Sequence, residues 1–305
     1  MSQVPANGLT LEAELLPPTA QPSGAPRLPV LMIMGLGMQL TAWPEPLVDG
    51  LRARGHPVVL FDNRDIGLSS KLAAWGRPNL FVAAVKHAMG LPVHATYTLH
   101  DMAADTAGLL DALGLPRAHV VGVSMGGMIG QILAARHPAR VASFACVMSS
   151  SGARHLPGPT FAARAALMSR PRRPHDPQAI VDHFVGVMRV IGSPGYPTPE
   201  PLMRERIAAG VHRSLHPLGF ARQLMAITAT GDRSALLREI AAPTAVIHGR
   251  SDPLVPPAAA HDLAAKIPGA TLTLVDGMGH DLPPGLLPTL LAAIAQVIAR
   301  AEPAG

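Results

Sequence analysis

HVVGVSMGG, residues 119–127, is an apolar run that enters a Gly-x-Ser-x-Gly turn and leads directly into a helical pattern. Small residues two positions before and two positions after the serine allow a tight turn, because larger side chains would clash there. The pattern therefore predicts a buried β-strand, a strained turn and an α-helix in immediate succession. This succession is typical of a parallel sheet whose strands are joined by helices.

Apolar runs on both sides of this stretch predict the other strands. They are bounded by Gly, Pro or Asn and cover residues 9–16, 29–34, 57–61, 141–148, 244–248 and 271–275, with 9–16 expected at a sheet edge. Apolar residues at three- and four-residue spacing predict helices at 102–113, 125–135, 258–267 and 286–298. We therefore predict an α/β fold, with a mostly parallel sheet covered by helices on both faces.

Two segments, residues 71–98 and 151–232, interrupt this alternation. The second is rich in Pro and Arg, contains helical patches and is too long for a simple connection. We expect it to be an inserted helical cap between the first part of the core, residues 1–150, and the second part, residues 233–305. An insertion at the carboxyl end of a parallel sheet would cover the crevice where ligands of such sheets bind.

Composition narrows the classes of function. Hydrophobic residues make up 48% of the 305, enough for a buried core, and the single Cys146 excludes an internal disulfide and a Cys-based metal cluster. The net charge of +5 comes largely from separate Arg clusters, and aromatic residues are only 3%, so we interpret the excess as surface solvation and expect no nucleic-acid partner. We see no leader and no apolar run of about 18 residues, which favours a cytoplasmic protein without membrane insertion.

Ser124 is the candidate nucleophile. The turn would leave its hydroxyl above the sheet at the amino end of the next helix, where N–H groups favour negative charge. A serine hydroxyl needs a base within hydrogen-bond reach. His280, in a Gly-flanked loop after the last predicted strand, has the expected position, whereas most other histidines precede Pro in turns or lie in the predicted cap.

Asp252 is the candidate acid that orients the base. It follows the predicted strand 244–248 and precedes His280 by 28 residues. The other position for an acid, after the strand that ends near Met148, has only Ser and Gly, and Asp281 would point away from its neighbour. Since an acceptor on the second histidine nitrogen fixes the tautomer, the three side chains form a predicted triad.

Backbone N–H groups must also be in place to bind the oxyanion of a tetrahedral intermediate. We predict the N–H of Met125 and, from the Gly-rich loop after the first buried strand, the N–H of Leu36, with a plain tight turn as the alternative for that loop. Met34, Met38 and Trp43 near the predicted mouth indicate an apolar, adaptable substrate pocket. This chemistry requires no cofactor and no metal ion.

With Gly-x-Ser-x-Gly, Asp and His in this order, the chain resembles the α/β-hydrolase superfamily over nearly its whole length. MGLGMQLTAWP from Met34 and FDNRDIGLSS from Phe61 are similar to the bacterial esterase branch that includes the aclacinomycin methylesterases. The resemblance implies the α/β-hydrolase fold, with the turn 62–65 bracing the loop behind the site and Ser69 structural. This chain has Met34-Gly35 where the superfamily often has His-Gly, which removes a hydrogen bond that orders the oxyanion loop.

The residues and the resemblance together predict serine-dependent hydrolysis of carboxylic esters through an acyl-enzyme, with small or medium apolar esters as the small-molecule partner. Acyl transfer or cofactor-free perhydrolysis on the same triad is an alternative that the sequence leaves open. A further alternative is a relative that binds a small molecule without turnover. Such a protein would not need all three triad members.

Overall fold

The computed structural model describes residues 1–20 and 26–302. Within them, eight strands form one sheet in the order β1-β2-β4-β3-β5-β6-β7-β8. The strands are β1 (Ser2–Ala6), β2 (Leu9–Leu16), β3 (Val30–Ile33), β4 (Val58–Phe61), β5 (Ala118–Val123), β6 (Val141–Val147), β7 (Thr244–Gly249) and β8 (Thr271–Val275). β2 is antiparallel to both of its neighbours, and all other neighbouring pairs are parallel, so the predicted α/β fold is confirmed.

The central strands are apolar throughout because both of their faces are covered. Successive side chains of a strand point to opposite faces. In β3, Leu31 and Ile33 belong to one buried cluster, whereas Val30 and Met32 belong to another on the opposite face. The sheet therefore separates two hydrophobic cores.

Helices cover these two cores. They are α1 (Glu45–Arg52), α2 (Leu80–Ala88), α3 (Leu99–Ala112), α4 (Met125–Arg136), α5 (Phe161–Met168), α6 (Pro177–Ile191), α7 (Glu200–Arg213), α8 (Pro217–Thr230), α9 (Ser234–Leu237), α10 (Ala258–Lys266) and α11 (Leu287–Ala301). Residues of α3, α4 and α10 fill one core, and residues of α1 and α11 fill the other. Helix α3 starts three residues before its predicted start because Thr98 and Asp101 form a capping box.

One strand prediction is wrong: β2 is not at the edge of the sheet. β1 pairs with it and forms the edge, where Pro5 is tolerated because an edge strand can lack an N–H donor. Asn7 and Gly8 connect the two strands with φ of 48° and 75°. Two positive φ values suit the two-residue hairpin turn that Asn-Gly favours.

The long segment between β6 and β7 contains α5, α6, α7 and α8, as its helical patches predict. Its inner side is fixed to the core by buried ion pairs. Arg222 of α8 donates to both carboxylate oxygens of Asp65 at 2.7 and 2.8 Å, and Arg213 of α7 donates to Asp62 at 2.7 Å. The division of the chain into core and cap at residues 151 and 232 stays a prediction.

Helix α11 is relevant to the expectation that no segment is long and apolar enough to span a bilayer. With the short 3-10 turn before it, it forms the stretch Pro284–Ala301, which among the described residues is long and apolar enough to cross a membrane by length and composition. Its buried residues, however, recur at helical spacing on one face (Leu287, Leu290, Ile294, Val297) and fill the core beneath the sheet. We therefore interpret α11 as the packing helix that its pattern predicts.

The ion pair of Asp65 and Arg222 makes stability depend on pH. Burial raises the pKa of Asp65, but hydrogen bonds from Arg222 and from the Leu72 N–H outweigh burial and hold it below its usual value. A lowered pKa contributes stability above the unfolded-state value, about 3.9, and this contribution is lost as the pH falls through the folded-state value.

We therefore expect Asp65→Asn to lower the free energy of unfolding by about 3–5 kcal/mol at neutral pH, because it leaves a buried guanidinium unpaired. Asparagine tolerates the φ of 70° at this position. The difference from the parent should shrink below pH ~4. Urea unfolding at both pH values measures it, with Asp111→Asn as control, since that side chain is 66% exposed in its ion pair with Arg140. Equal losses of unfolding free energy in Asp65→Asn and Asp111→Asn would contradict the assignment of Asp65 and Arg222 as a stabilising buried pair.

Candidate active site

Ser124 lies at the junction of β5 and α4 in a strained backbone conformation, with φ of 55° and ψ of −117°. The glycines on either side make this possible. A methyl group on Gly122 would lie 2.4 Å from the Gly126 carbonyl oxygen, and one on Gly126 would lie 2.0 Å from the Ile33 carbonyl oxygen. The strand, the helix and β3 thus approach so closely that only glycine fits at these two positions.

Hydrogen bonds from the neighbouring strand hold the turn. The Ser124 N–H donates to the Val147 carbonyl at 2.9 Å, and the hydroxyl of Ser149 donates to the Ser124 carbonyl at 2.8 Å. Ser149 is fully buried just after β6. Sequence reasoning considered that position only for a carboxylate and missed the hydroxyl. The serine triplet directly after a buried strand was the available signal.

The structure brings the three predicted triad side chains together. His280 Nε2 lies 3.0 Å from Ser124 Oγ, and His280 Nδ1 lies 2.7 Å from Asp252 Oδ2. Because a carboxylate only accepts, Nδ1 donates to it and Nε2 is left to accept from the serine hydroxyl. This geometry can deprotonate the hydroxyl. That these residues are catalytic stays a prediction.

The Asp252 carboxylate is itself fixed in place. Its other oxygen, Oδ1, accepts from the N–H groups of Leu254 and Val255 at 2.9 and 2.8 Å. Behind it lies His248, whose Nε2 donates to the Val255 carbonyl at 2.8 Å and is 3.5 Å from Asp252 Oδ2. Burial lowers the pKa of His248, so a neutral ring faces the acid. The negative charge is therefore not neutralised by His248.

The predicted oxyanion loop lies against the serine. A methyl group on Gly35 would be 3.3 Å from Ser124 Cβ. The Gly37 N–H donates to the side-chain oxygen of Gln223 at 2.9 Å, whereas the N–H groups of Leu36 and Met125 have no acceptor in the part of the chain that the structure describes. Neither predicted donor is therefore engaged by another group of the described residues. Their role stays a prediction.

The loop is ordered even though Met34 replaces the usual histidine. Asn63 donates through its amide to the Met34 carbonyl at 3.0 Å, and Asp62 accepts from the Leu40 N–H at 2.7 Å. Gln223 of α8 holds the middle of the loop. The turn 62–65 thus braces the loop, and Ser69 supports the turn by donating to the Asp62 carbonyl at 2.6 Å, as the resemblance implies. Sequence reasoning missed Gln223, because nothing in the sequence marks a glutamine on a distant helix.

A second contact from the inserted segment holds the loop that carries His280. The His280 N–H donates to the Ile191 carbonyl at 2.7 Å, and the Gly279 N–H donates to the Ser193 hydroxyl at 2.8 Å. That hydroxyl in turn donates to Asp281, whose pKa is raised by burial. Asp281 therefore points away from the imidazole, as predicted. Sequence reasoning missed Ser193.

The three predicted pocket residues differ from one another in burial. Met34 and Trp43 are buried in the core that also contains α11, and Met38 is 44% exposed. Their contact with a substrate stays a prediction.

Cys146 is fully buried in the opposite core, and burial raises its pKa to about 11, so the thiol is unreactive as expected of a core residue.

One group of side chains among the described residues could share an ion: His56, His119 and Glu302. It lies near the amino end of β5, whereas Ser124 follows the carboxyl end of that strand. The Glu302 carboxylate is paired with Arg27 at 3.1 Å and with His119 at 3.0 Å. These contacts account for its charge, so we assign no metal to this cluster.

Comparisons with known proteins agree with this geometry. The sequence model of the alpha/beta hydrolase fold family matches residues 29–283. Rhodomycin D methylesterase of Streptomyces peucetius is 28% identical over 87% of this chain and 89% of its own length. The 2-hydroxy-6-oxononadienedioate/2-hydroxy-6-oxononatrienedioate hydrolase 2 of Pseudomonas putida is 28% identical over 82% of this chain and 80% of its own length. These names support hydrolase activity.

A solved structure supports the fold alone. The meta-cleavage product hydrolase of Pseudomonas fluorescens superimposes with a TM-score of 0.71 over 99% of this chain and 98% of that chain, at 18% identity. The same fold is thus present in a protein of very different sequence.

The close approach at Ser124 makes a prediction for stability. Gly126→Ala should lower the free energy of unfolding by about 3 kcal/mol or more, because a methyl group there overlaps the backbone of β3. Gly186→Ala, in α6 with nothing within 4 Å of the new methyl group, is the matched control and should gain about 1 kcal/mol from helix propensity. Denaturant unfolding measures both. An unchanged free energy of unfolding in Gly126→Ala would show that the backbone of β3 does not approach Gly126 this closely.

Proposed function

Because the chain belongs to the α/β-hydrolase fold family, we propose that it is a serine-dependent hydrolase of carboxylic esters that acts through an acyl-enzyme. The observation that carries the proposal is the pair of hydrogen bonds that joins Ser124, His280 and Asp252, at 3.0 and 2.7 Å. Its expected cytoplasmic location and its independence of cofactors are parts of the same proposal.

In the first half of the reaction, Ser124 Oγ attacks the ester carbonyl carbon while its proton passes to His280 Nε2. The imidazolium that forms is stabilised by Asp252. The carbonyl oxygen becomes an oxyanion, which the N–H groups of Leu36 and Met125 would bind. Each such donor contributes on the order of 10²-fold to 10³-fold in rate. Collapse of the intermediate breaks the ester bond, and the leaving alcohol takes the proton from His280.

In the second half, water replaces the alcohol. His280 accepts a proton from this water, the resulting hydroxide attacks the acyl carbon, and the same oxyanion donors act again. Return of the proton from His280 to Ser124 Oγ releases the carboxylic acid and restores the enzyme. Neither half requires a group beyond the triad and the two amides.

For the substrate, we propose small or medium uncharged esters with apolar groups. The apolar residues around the oxyanion loop, including Leu36 and the half-exposed Met38, support this class. The named methylesterase relative makes methyl esters a reasonable first group to test. Acyl transfer to another acceptor uses the same acyl-enzyme and differs only in what attacks it.

Ser124→Ala should remove activity by about 10⁵–10⁶-fold, because the hydroxyl is the nucleophile. A fluorophosphonate probe should label the parent and not the variant. Turnover is measured with p-nitrophenyl esters of increasing acyl length and with methyl esters. Equal labelling of both proteins would exclude Ser124 as the nucleophile. Labelling without hydrolysis, but with transfer of the acyl group to an added alcohol, would favour acyl transfer.

The choice of acid gives a separate prediction. Asp252→Asn should lower kcat by about 10⁴-fold, because the imidazole loses the partner that fixes its tautomer. Asp281→Asn is the matched control and should lower kcat by less than about tenfold, since its amide oxygen can still accept from Ser193. Ester turnover measures both variants. A larger loss for Asp281→Asn would show that the acid is assigned wrongly.

A further inference from the structure

Two segments of the chain contain no acidic residue. Residues 66–100 and 151–175 hold eight of the 25 Lys and Arg residues of the chain and none of its 20 Asp and Glu residues. The rest of the chain therefore holds 17 basic and 20 acidic residues. The positive net charge is concentrated in these two segments, and uniform surface solvation does not account for it.

The same segments carry most of the exposed apolar side chains. Fifteen large hydrophobic residues are exposed in the part of the chain that the structure describes, and nine of them lie here. They are Leu68, Trp75, Phe81, Val82, Val85, Met89, Leu91, Phe161 and Met168. Apolar residues that cluster on a surface, unlike single ones, mark an interaction site.

Helix α2 shows how this surface is built. Phe81, Val85 and Met89 follow one another at four-residue spacing, which places them on one side of α2 and its C-terminal cap. They are 78%, 42% and 69% exposed. Ala83, on another side, is buried where α2 packs against α8. The apolar side of α2 is thus exposed. We call it, with Trp75, the docking face.

A basic cavity adjoins the docking face. It has a volume of about 280 Å³, and its lining includes Arg77, Lys86 and His94 together with Trp75 and Val82. Among the described residues, no acidic side chain lines it. The second segment meets the first nearby, because the Arg154 guanidinium lies 2.7 Å from the position of a methyl group on Gly90. Basic side chains therefore lie beside the apolar side chains of the docking face.

We propose that the docking face binds the surface of an anionic lipid bilayer. Apolar side chains of a helix can enter the boundary between headgroups and acyl chains, while basic residues around them attract anionic headgroups. The cavity lined by Arg77, Lys86 and His94 fits a headgroup phosphate. This is peripheral binding in the plane of the surface, and it requires no spanning segment.

A second copy of the chain fits the docking face less well. A symmetric dimer would bring the same patch of both copies together. Here the basic cavity beside each patch has no acidic residue among its described lining residues, so the two copies would repel one another. An anionic surface supplies the opposite charge. The charge distribution therefore favours a bilayer over self-association.

The docking face is connected to the candidate site through α8. Met225 of α8 lines the basic cavity, whereas Gln223 and Phe220 of the same helix contact the oxyanion loop at Gly37. Binding at the face would therefore bring a lipid surface close to the helix that holds this loop. The binding itself does not depend on the proposed ester hydrolysis and can be measured without it.

The test uses the full chain with Ser124→Ala, so that no lipid is hydrolysed, and sedimentation with vesicles. Vesicles of equal parts phosphatidylcholine and phosphatidylglycerol should bind the protein, and vesicles of phosphatidylcholine alone should bind it at least tenfold less. Raised salt should weaken the binding, because it screens the headgroups. Arg77→Glu and Lys86→Glu should each weaken binding about fivefold or more, since each basic residue near such a surface contributes about that factor.

Variants separate the apolar from the ionic contribution. Phe81→Ser should lower binding about tenfold or more, and its exposed position leaves the core unchanged. Arg238→Glu, an exposed arginine outside both segments, is the control and should change binding less than twofold. Circular dichroism confirms that each variant is folded.

No binding to the anionic vesicles, or equal binding to both kinds, would overturn the proposal. Equal effects of Arg77→Glu and Arg238→Glu would also overturn it, because binding would then depend on net charge and not on the face. A dimer by light scattering that Phe81→Ser dissociates, without vesicle binding, would show that a second copy occupies the face.

Discussion

The candidate site depends on the absence of side chains where β3, β5 and α4 approach one another. Gly122 and Gly126 remove the two Cβ atoms that would overlap backbone oxygens there. Because the backbones are so close, Ser124 is held with a positive φ at the end of the strand. The strain at this one residue is supported by packing over the whole junction. A serine on a looser turn would not keep its hydroxyl in one position against His280.

The two loops on either side of this serine are held by the inserted segment. Gln223 fixes the oxyanion loop, and Ile191 with Ser193 fixes the loop of His280. Neither loop is positioned by the sheet alone. The helices between β6 and β7 therefore do more than cover the site, because their backbone and side chains set the relative positions of the base and the expected oxyanion donors. A displacement of α8 would move the oxyanion loop, and a displacement of the end of α6 would move the loop of His280.

The fold and the three triad positions could be predicted from the sequence because their signals are local. Apolar runs, helical spacing and Gly-x-Ser-x-Gly each report on a few neighbouring residues. The Asn7-Gly8 turn was also a local signal, and reading it would have found β1 and corrected the edge of the sheet. Gln223 and Ser193 have no such signal. They act across more than 80 residues of chain, and only the packing of the inserted helices brings them to the loops.

Charged residues serve two purposes in this molecule. The inner side of the inserted segment is fixed by the buried pairs of Asp65 with Arg222 and of Asp62 with Arg213, and both acids come from the turn after β4. Such pairs fix geometry because breaking one leaves an uncompensated charge. Residues 66–100 and 151–175, in contrast, contain basic and apolar residues and no acid. Arg77, Lys86 and the exposed side of α2 take no part in those pairs, so this surface is left for the proposed contact with an anionic bilayer.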